Sequence, residues 1–310
     1  MAALFCNCKT GQGRQPFLLK GIFLGGCRMK SLNKLKNSIT MLPLLILTAM
    51  FIFLPLLGMV KDSFLTKEGA VTVGNYIEVF TKAIYHYAIK NSLYLSIIST
   101  VIGIVIAFAV ALSITLVGGK LQNIILSILN MVSNFAGIPL ATAFIVILGN
   151  SGIFIMALKM MGLDWAENFN LYSVDGLMLL FIYFQIPLGT LMLLPAFQAI
   201  RQEWKEAADL MGASSLYYWI RVGIPVMLPS IADTLSLLFA NALTTYATVL
   251  MLTATNVPLL PIKIATMFTG EMVQQKELGS ALTIVMLLIM FAFLLLMAII
   301  KKLFCRGGNN

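Results

Sequence analysis

The sequence predicts an all-α integral membrane protein with six transmembrane helices and both termini in the cytoplasm. Its mean hydropathy is +0.95 and 60% of its residues are hydrophobic, which excludes a soluble globular domain. Six apolar stretches are long enough to cross a hydrocarbon core of about 30 Å, which requires about 20 helical residues. They lie near 38–60, 92–117, 123–149, 176–198, 229–252 and 279–300.

The distribution of charged residues gives the orientation. With the N-terminus inside, 14 of the 21 Lys and Arg residues lie in cytoplasmic segments, whereas eight of the 12 acidic residues lie outside. Cytoplasmic segments of membrane proteins carry an excess of Lys and Arg, so both termini are expected in the cytoplasm. The net charge of +9 therefore needs no nucleic-acid partner to explain it.

The first 36 residues are predicted to form a cytoplasmic tail. Residues 1–28 are Gly-rich and basic and show no periodic pattern, so we interpret them as a disordered segment or a mis-assigned start. Met29 opens a more typical membrane-protein N-terminus. All four cysteines would face the reducing cytoplasm, so neither a disulfide nor a metal site is expected.

Two outer segments are predicted to carry short helices. Residues 37–90 hold the first span and a long outer loop, whose aromatic run Tyr85-His86-Tyr87 favours an amphipathic surface helix, with contact to an extracytoplasmic partner as the alternative. The last outer loop is predicted to contain a short helix between the fifth and sixth spans. It includes Asn256, Pro258, Pro261, Lys263 and Glu271.

Polar residues and a proline interrupt the predicted spans. Pro139 in the third span lacks a backbone N–H, so a kink is expected near Gly137–Pro139. Asn134 lies in the same span and Gln185 in the fourth. Four residues of the fifth span fall at helical spacing and are predicted to share one face: Asn241, Thr244, Thr245 and Thr248. Such groups line a solute path or hydrogen-bond a neighbouring helix, and the sequence leaves both interpretations open.

A charged segment between the fourth and fifth spans has a different character. Five charges fall within nine residues, at Arg201, Glu203, Lys205, Glu206 and Asp209. A helix is predicted from Pro195 to Gly212, where a left-handed turn would end it.

A second short helix is predicted to follow that turn. Ser214 or Ser215 would cap it, and it would carry Tyr217, Tyr218 and Trp219. Pro225 or Pro229 would then open the fifth span. We call residues 201–221 the docking element, since a compact helix–turn–helix between two spans suits contact with another protein.

The spacing in and after this element resembles that of a known family. Glu206-Ala207-Ala208 is followed after three residues by Gly212. After nine further residues come Val222 and then Ile224-Pro225. This pattern resembles the cytoplasmic coupling loop in the membrane subunits of binding-protein-dependent ABC importers. An ordinary amphipathic interfacial helix is the alternative, but it would not require the glycine six residues after the glutamate or the distal proline.

The resemblance implies a transmembrane domain over residues 91–300, a coupling loop over 199–228 and a C-terminal tail over 301–310. It implies that Glu206 supplies charge at the docking surface, that the small residues allow close approach and that Pro225 gives a rigid return into the membrane. The residues implied in ATPase coupling are Glu206, Ala207, Ala208, Gly212, Ala213 and Pro225.

The resemblance also implies partners and a location. These are two ABC ATPase subunits, a second permease that is identical or related, and an extracytoplasmic solute-binding protein, assembled in a bacterial cell membrane. The segments Asn134–Leu140 and Tyr183–Pro187 resemble the spermidine/putrescine branch, which includes permeases for 2-aminoethylphosphonate and ferric iron. A polyamine is therefore the expected solute.

Enzymatic activity is not expected from this chain. Gly149-Asn150-Ser151-Gly152 matches the G-x-S-G of rhomboid intramembrane proteases, but these need a His in a later span, and the single His, His86, precedes the motif. We therefore expect Ser151 to lie in a turn. The sequence has no H-E-x-x-H motif, ATP-binding loop or plausible metal cluster, so no cofactor is expected and ATP hydrolysis falls to partner subunits.

An ion-coupled secondary transporter is the alternative function. Such a protein needs an ionisable residue at mid-membrane. Asp233 is the nearest candidate, and it lies only eight residues after Pro225, so we expect it near the cytoplasmic interface.

Overall fold

The computed structural model describes residues 41–162, 169–253, 257–269 and 275–307. These ranges are almost entirely helical and contain no strand, only an isolated bridge between Leu65 and Val71. The predicted all-α class is therefore confirmed. The predicted N-terminal tail, Asn256 and Glu271 lie outside the described residues.

The helices of the described ranges follow one another with short connections. In chain order they are α1 (Met41–Ser63), α2 (Gly74–Thr81), α3 (Ala83–Val117), α4 (Gly119–Asn134), α5 (Ile138–Leu148), α6 (Ile153–Met160), α7 (Val174–Ala199), α8 (Gln202–Leu210), α9 (Ser215–Tyr218), α10 (Ile224–Thr244), α11 (Ala247–Thr253), α12 (Leu260–Thr269) and α13 (Lys276–Gly307).

The chain divides into two compact units. In the first, Met1–Leu57, the described residues belong to α1, which includes a π-helical turn at Ala49–Phe53. The second, Gly58–Asn310, contains the remaining helices and the whole docking element.

Six helical segments in the described chain are long and apolar enough to cross a membrane, as predicted. They are Met41–Ser63, Ala83–Val117, Ile138–Met160, Val174–Ala199, Ser215–Thr244 and Lys276–Leu303. Several boundaries differ from the prediction. The second span, α3, begins at Ala83, nine residues before its predicted start, so the aromatic run Tyr85-His86-Tyr87 belongs to it. The sixth span, α13, continues past Lys301 into the predicted C-terminal tail.

The prediction of one kinked third span over 123–149 is wrong. Helix α4 ends at Asn134 and α5 begins at Ile138, so the helix is broken rather than bent. Gly137 adopts a φ of 76°, which a glycine reaches without steric cost. Pro139 lies in the first turn of α5, where its missing N–H costs no intrahelical hydrogen bond. Glycine and proline together therefore stop one helix and start the next.

The centre of the second unit is the contact between α3 and α7. A Cβ atom built on Gly103 would lie 3.0 Å from the Cβ of Gln185, and one on Gly189 would lie 3.0 Å from the Cβ of Ala107. The two backbones approach closely because these glycines lack side chains. In lipid, where burial of apolar groups does not drive helices together, such close packing supplies much of the attraction.

The predicted outer loop after α1 is held by its own hydrogen bonds. The Nδ2 of Asn75 donates to the carbonyls of Ser63 and Leu65 at 3.0 and 2.9 Å. The expected surface helix is α2, somewhat earlier in the chain than the aromatic run. At its end the Glu78 carboxylate accepts a hydrogen bond from Lys82 at 2.6 Å, which raises the pKa of that ammonium group.

The last outer loop is tied to the start of the second span. Ser92 Oγ accepts a hydrogen bond from the Leu260 N–H at 2.8 Å, and Asn91 Nδ2 donates to the Pro258 carbonyl at 3.3 Å. The predicted short helix between the fifth and sixth spans is α12. These bonds fix the beginning of α12 against α3.

An ion pair joins α10 to α13. The Lys301 ammonium donates to the Asp233 carboxylate at 2.7 Å. Lys301 is expected to end the last span at the inner face, so this pair supports the expectation that Asp233 lies near that face rather than at mid-membrane. A partnered carboxylate of this kind is a weak candidate for ion coupling.

The close approach of α3 and α7 can be tested by adding a side chain. Gly189→Leu should lower the melting temperature in detergent, because overpacking a tight contact costs about 1–3 kcal/mol. Gly58→Leu is the matched control, since a Cβ built on Gly58 meets nothing within 4 Å. Equal melting temperatures for the two variants would contradict the packing described above.

Candidate docking site

The docking element begins at a sharp change of backbone direction. Helix α7 ends at Ala199, Ile200 is extended with φ −74° and ψ 120°, and α8 begins at Gln202. The prediction of one helix from Pro195 to Gly212 is therefore wrong. The break coincides with the change from apolar to charged sequence: α7 is packed among the spans, whereas α8 is exposed apart from Ala208.

Helix α8 ends in the left-handed turn predicted at Gly212. That glycine has a φ of 75°. Its N–H donates to the Asp209 carbonyl, and the Ala213 N–H donates to the Ala208 carbonyl, both at 3.0 Å. These two bonds define a Schellman motif, which satisfies carbonyl groups that a helix end leaves unpaired. The predicted turn is confirmed.

The second helix of the element is capped by Ser214, one of the two serines considered. Its Oγ accepts a hydrogen bond from the Tyr217 N–H at 3.3 Å. Contrary to the prediction, this helix is not separate from the fifth span. It continues through a π-helical turn, Trp219–Gly223, into α10.

Neither proline therefore opens a new helix. Pro225 lies in the first turn of α10, directly after the π-helical turn, and Pro229 lies inside it. π-Helical turns and prolines are both recognised causes of local departures from regular α-helix. The second helix of the docking element and the fifth span therefore form one continuous helical segment, Ser215–Thr244.

Large apolar side chains protrude where α8 turns into α9. Leu210 is 90% exposed, Met211 80% and Leu216 71%. On an otherwise polar segment, exposed apolar side chains of this size mark a site of contact with another protein or with a membrane surface. We call Leu210, Met211 and Leu216 the apolar tip.

The two alanines of the motif face in different directions. Ala207 is exposed, whereas Ala208 is buried within this chain at 7% exposure. The expectation that both alanines give close approach to a partner is therefore wrong for Ala208, which packs inward. Glu206 is exposed, and its Oε1 accepts a hydrogen bond from Gln202 Nε2 at 2.9 Å.

A cavity of about 660 Å³ lies between the docking element and the adjoining ends of α3, α4 and α7. Its polar wall carries two cations, Arg201 and Lys205, and two carboxylates, Glu206 and Asp209. Because these charges balance, the cavity favours neither an anion nor a cation.

An aromatic cluster joins the docking element to the spans. The ring centroid of Trp219 lies 5.8 Å from that of Phe197 on α7 and 6.0 Å from that of Phe108 on α3, and the two phenylalanines are 4.9 Å apart. We call these three residues the aromatic junction. Sequence reasoning assigned Trp219 only to the second helix of the element. The sequence signal for this packing was Gly223, four positions after Trp219, because a glycine there leaves room for the indole ring.

Two of the predicted path residues lie inside the chain. Gln185 is fully buried, and its Nε2 donates to Ser99 Oγ on α3 at 2.7 Å. Thr248 is 3% exposed in α11. For Gln185 the structure favours a hydrogen bond between neighbouring helices over a place on a solute path.

The prediction that the four polar residues of the fifth span share one helical face is wrong. Helix α10 ends at Thr244, and Thr245 is extended, so Thr248 belongs to the next helix. The Thr244 and Thr245 hydroxyls donate to the carbonyls of Ala240 and Asn241 at 2.8 and 2.7 Å.

The remaining path candidates differ in accessibility. Asn134, at the end of α4, and Thr244 are exposed, whereas Asn241 and Thr245 are half-buried.

Ser151 lies, as predicted, in a turn, here between α5 and α6. Among the described residues no three His, Cys, Asp or Glu side chains converge on a possible metal site.

Comparison with known proteins gives a family match over most of the chain. Residues 99–306 match the family described as "Binding-protein-dependent transport system inner membrane component". A probable sulfate transport system permease protein of Helicosporidium sp. subsp. Simulium jonesii is 27% identical over 71% of this chain and 78% of that protein. The spermidine/putrescine transport system permease protein of Haemophilus influenzae is 26% identical over 66% of this chain and 73% of that protein.

A solved structure shows the same fold. It is the crystal structure of a bacterial ABC transporter involved in the import of the acidic polysaccharide alginate. The two chains superpose with a TM-score of 0.73 at 20% identity, and the match covers 89% of this chain and 98% of the other.

The interhelical hydrogen bond of Gln185 can be tested by a double-mutant cycle in detergent. Ser99→Ala should lower the melting temperature, because it leaves the buried Gln185 amide without its partner, at a cost of about 1 kcal/mol. Gln185→Met removes the amide while keeping the shape and should cost less. In the Gln185→Met background, Ser99→Ala should then have little further effect. Fully additive losses would show that the two side chains are not coupled.

Proposed function

Because this chain belongs to the family of binding-protein-dependent transport system inner membrane components, we propose that its docking element couples the membrane spans to an ATPase. The chain is the permease subunit of an ABC importer, a multi-pass membrane component rather than a catalyst. The observation that carries the coupling proposal is the apolar tip, where Leu210 is 90% and Met211 80% exposed.

The geometry of the element suits insertion into a groove. The apolar tip would fill the groove, Ala207 would allow the surfaces to approach closely, and Glu206 would lie at the polar rim. Gly212 holds the two helices of the element at a fixed angle through its left-handed turn. Closure of the ATPases on ATP would displace this unit, and the spans would change between inward-facing and outward-facing states.

The exposed polar residues and the docking element of this chain are the surfaces at which we propose partner subunits. We propose two ABC ATPase subunits at the docking elements, a second permease and an extracytoplasmic solute-binding protein. Asn134 and Thr244 are exposed in this chain, and a second permease would enclose them in a shared path. Because basic residues favour a cytoplasmic docking element, we propose a bacterial cell membrane with the ATPases on its inner side.

For the solute we propose a polyamine, with 2-aminoethylphosphonate and ferric iron as further candidates. Support comes from the amino-acid sequences of Asn134–Leu140 and Tyr183–Pro187 and from the relative named for spermidine and putrescine. A relative of similar identity is named for sulfate, so sulfate is the competing solute. Gln185 gives no support as a solute ligand, because it bonds Ser99.

The first experiment is affinity purification of the tagged chain in mild detergent, followed by mass spectrometry. We expect an ATPase with a P-loop, a second permease and a solute-binding protein. Calorimetric titration of that binding protein with spermidine, putrescine, 2-aminoethylphosphonate, ferric iron and sulfate then identifies the solute. A chain that purifies alone and transports with an ion gradient would instead support a secondary transporter.

The rigid turn of the docking element can be tested at Gly212. Gly212→Val should reduce uptake per ATP hydrolysed in proteoliposomes, because a non-glycine residue in the left-handed region costs about 1–2 kcal/mol. A Cβ at this position would meet nothing within 4 Å, so the effect would come from the backbone rather than from a clash.

Two further variants serve as controls. Gly69→Val places the same residue at a φ of 82°, again with nothing within 4 Å, in the predicted outer loop, and uptake should be retained. Gly212→Asn should be intermediate, because asparagine tolerates the left-handed region better. Normal uptake per ATP in Gly212→Val would count against the proposed coupling.

A further inference from the structure

The aromatic junction is built at the single turn that connects the docking element with α10. Trp219 opens that π-helical turn, and the Ile224 N–H donates to the Trp219 carbonyl five residues back. The Trp219 ring meets Phe108 at an interplanar angle of 80° and Phe197 at 60°. Edge-to-face contacts of this kind have a preferred geometry, so they hold the ring in one orientation.

The position of the Trp219 ring depends on the absence of a side chain at Gly223. A Cβ atom built on Gly223 would lie 2.3 Å from Cε3 and 2.8 Å from Cζ3 of Trp219. Any other residue at 223 would therefore push the indole out of its contacts with Phe108 and Phe197. The π-helical turn and the glycine together fix the tryptophan between α3 and α7.

The neighbouring tyrosine packs against the same ring. Tyr218 is 2% exposed, and its ring centroid lies 5.8 Å from that of Trp219 at an interplanar angle of 73°. Tyr218 therefore adds a third aromatic contact to the Trp219 ring, beside those of Phe108 and Phe197.

The junction reaches the two helices whose contact forms the centre of the second unit. Helices α3 and α7 are in close contact at Gly103 and Gly189, with 3.0 Å from a built Cβ to the facing side chain. Closely packed interiors have low compressibility and transmit strain. A displacement of Phe108 and Phe197 would therefore be passed to both helices.

We infer that Trp219 is a positioning residue that transmits displacement of the docking element to α3 and α7 through Phe108 and Phe197. This inference rests on the proposed function, since it assumes that an ATPase moves the element. It assigns transmission to the aromatic junction and docking to the apolar tip. The two roles lie on different residues of one element, and they can be separated by experiment.

The test measures how strongly the solute-binding protein stimulates the ATPase. The purified complex is reconstituted in lipid nanodiscs, and the ATPase rate is measured with and without the copurified solute-binding protein. Trp219→Ala should lower the fold-stimulation by about fivefold or more, as expected for loss of coupling between two sites. Trp219→Phe retains a ring and should keep most of the stimulation.

Glycine variants provide a matched pair. Gly223→Ala should act like Trp219→Ala, because the added Cβ displaces the ring. Gly279→Ala is the control: its Cβ would lie 2.9 Å from that of Met267, so it introduces similar crowding between α12 and α13, away from the junction. Its stimulation should match that of the wild type.

The outcomes separate the inference from the proposed function. Full stimulation in Trp219→Ala would overturn the inference, as would a loss of complex yield in step with stimulation, since that indicates a structural role only. A wild-type chain that copurifies with no ATPase would refute the proposed function itself. Retained docking with lost stimulation is the result that supports the junction.

Discussion

The close crossing of α3 and α7 depends on two glycines, and much of the second unit depends on that crossing. Gly103 and Gly189 allow the two backbones to approach so closely that an added Cβ atom at either position would lie 3.0 Å from the facing side chain. Gln185 then lies within hydrogen-bonding distance of Ser99, 2.7 Å from Nε2 to Oγ. At the inner end of the same pair, Phe108 and Phe197 form the seat for Trp219. The docking element is thus attached to the tightest contact between spans.

Local signals allowed the sequence to predict the turn between the two helices of the docking element. The left-handed turn at Gly212 and the cap at Ser214 depend on the chemistry of one or two residues, and both are present. The continuity of the spans was harder to predict. Whether Pro139 bends or breaks a helix depends on Gly137, whose positive φ makes the break complete, and the continuous helix from Ser215 to Thr244 passes two prolines that favour a start.

Contacts between distant parts of the chain could not be predicted from sequence spacing. The inward position of Ala208, the bond between Gln185 and Ser99 and the seat of Trp219 all depend on tertiary packing. The prediction of one shared helical face in the fifth span was wrong in the same way, because Thr248 belongs to a helix that begins after a break. Residue type therefore predicted the turn at Gly212 and the cap at Ser214, whereas the role of each polar group in the spans depended on which side chain lay opposite.

The break between α4 and α5 has a consequence for what surrounds this chain. Between Asn134 and Ile138 the ladder of helical backbone hydrogen bonds is interrupted, and Phe135 and Ala136 are exposed. Hydrocarbon offers no donor or acceptor to unpaired peptide groups, so irregular backbone at membrane depth is tolerated only beside protein or water. Since the apolar span itself begins at Ile138, the unpaired peptide groups directly before it need water or protein beside them rather than lipid tails.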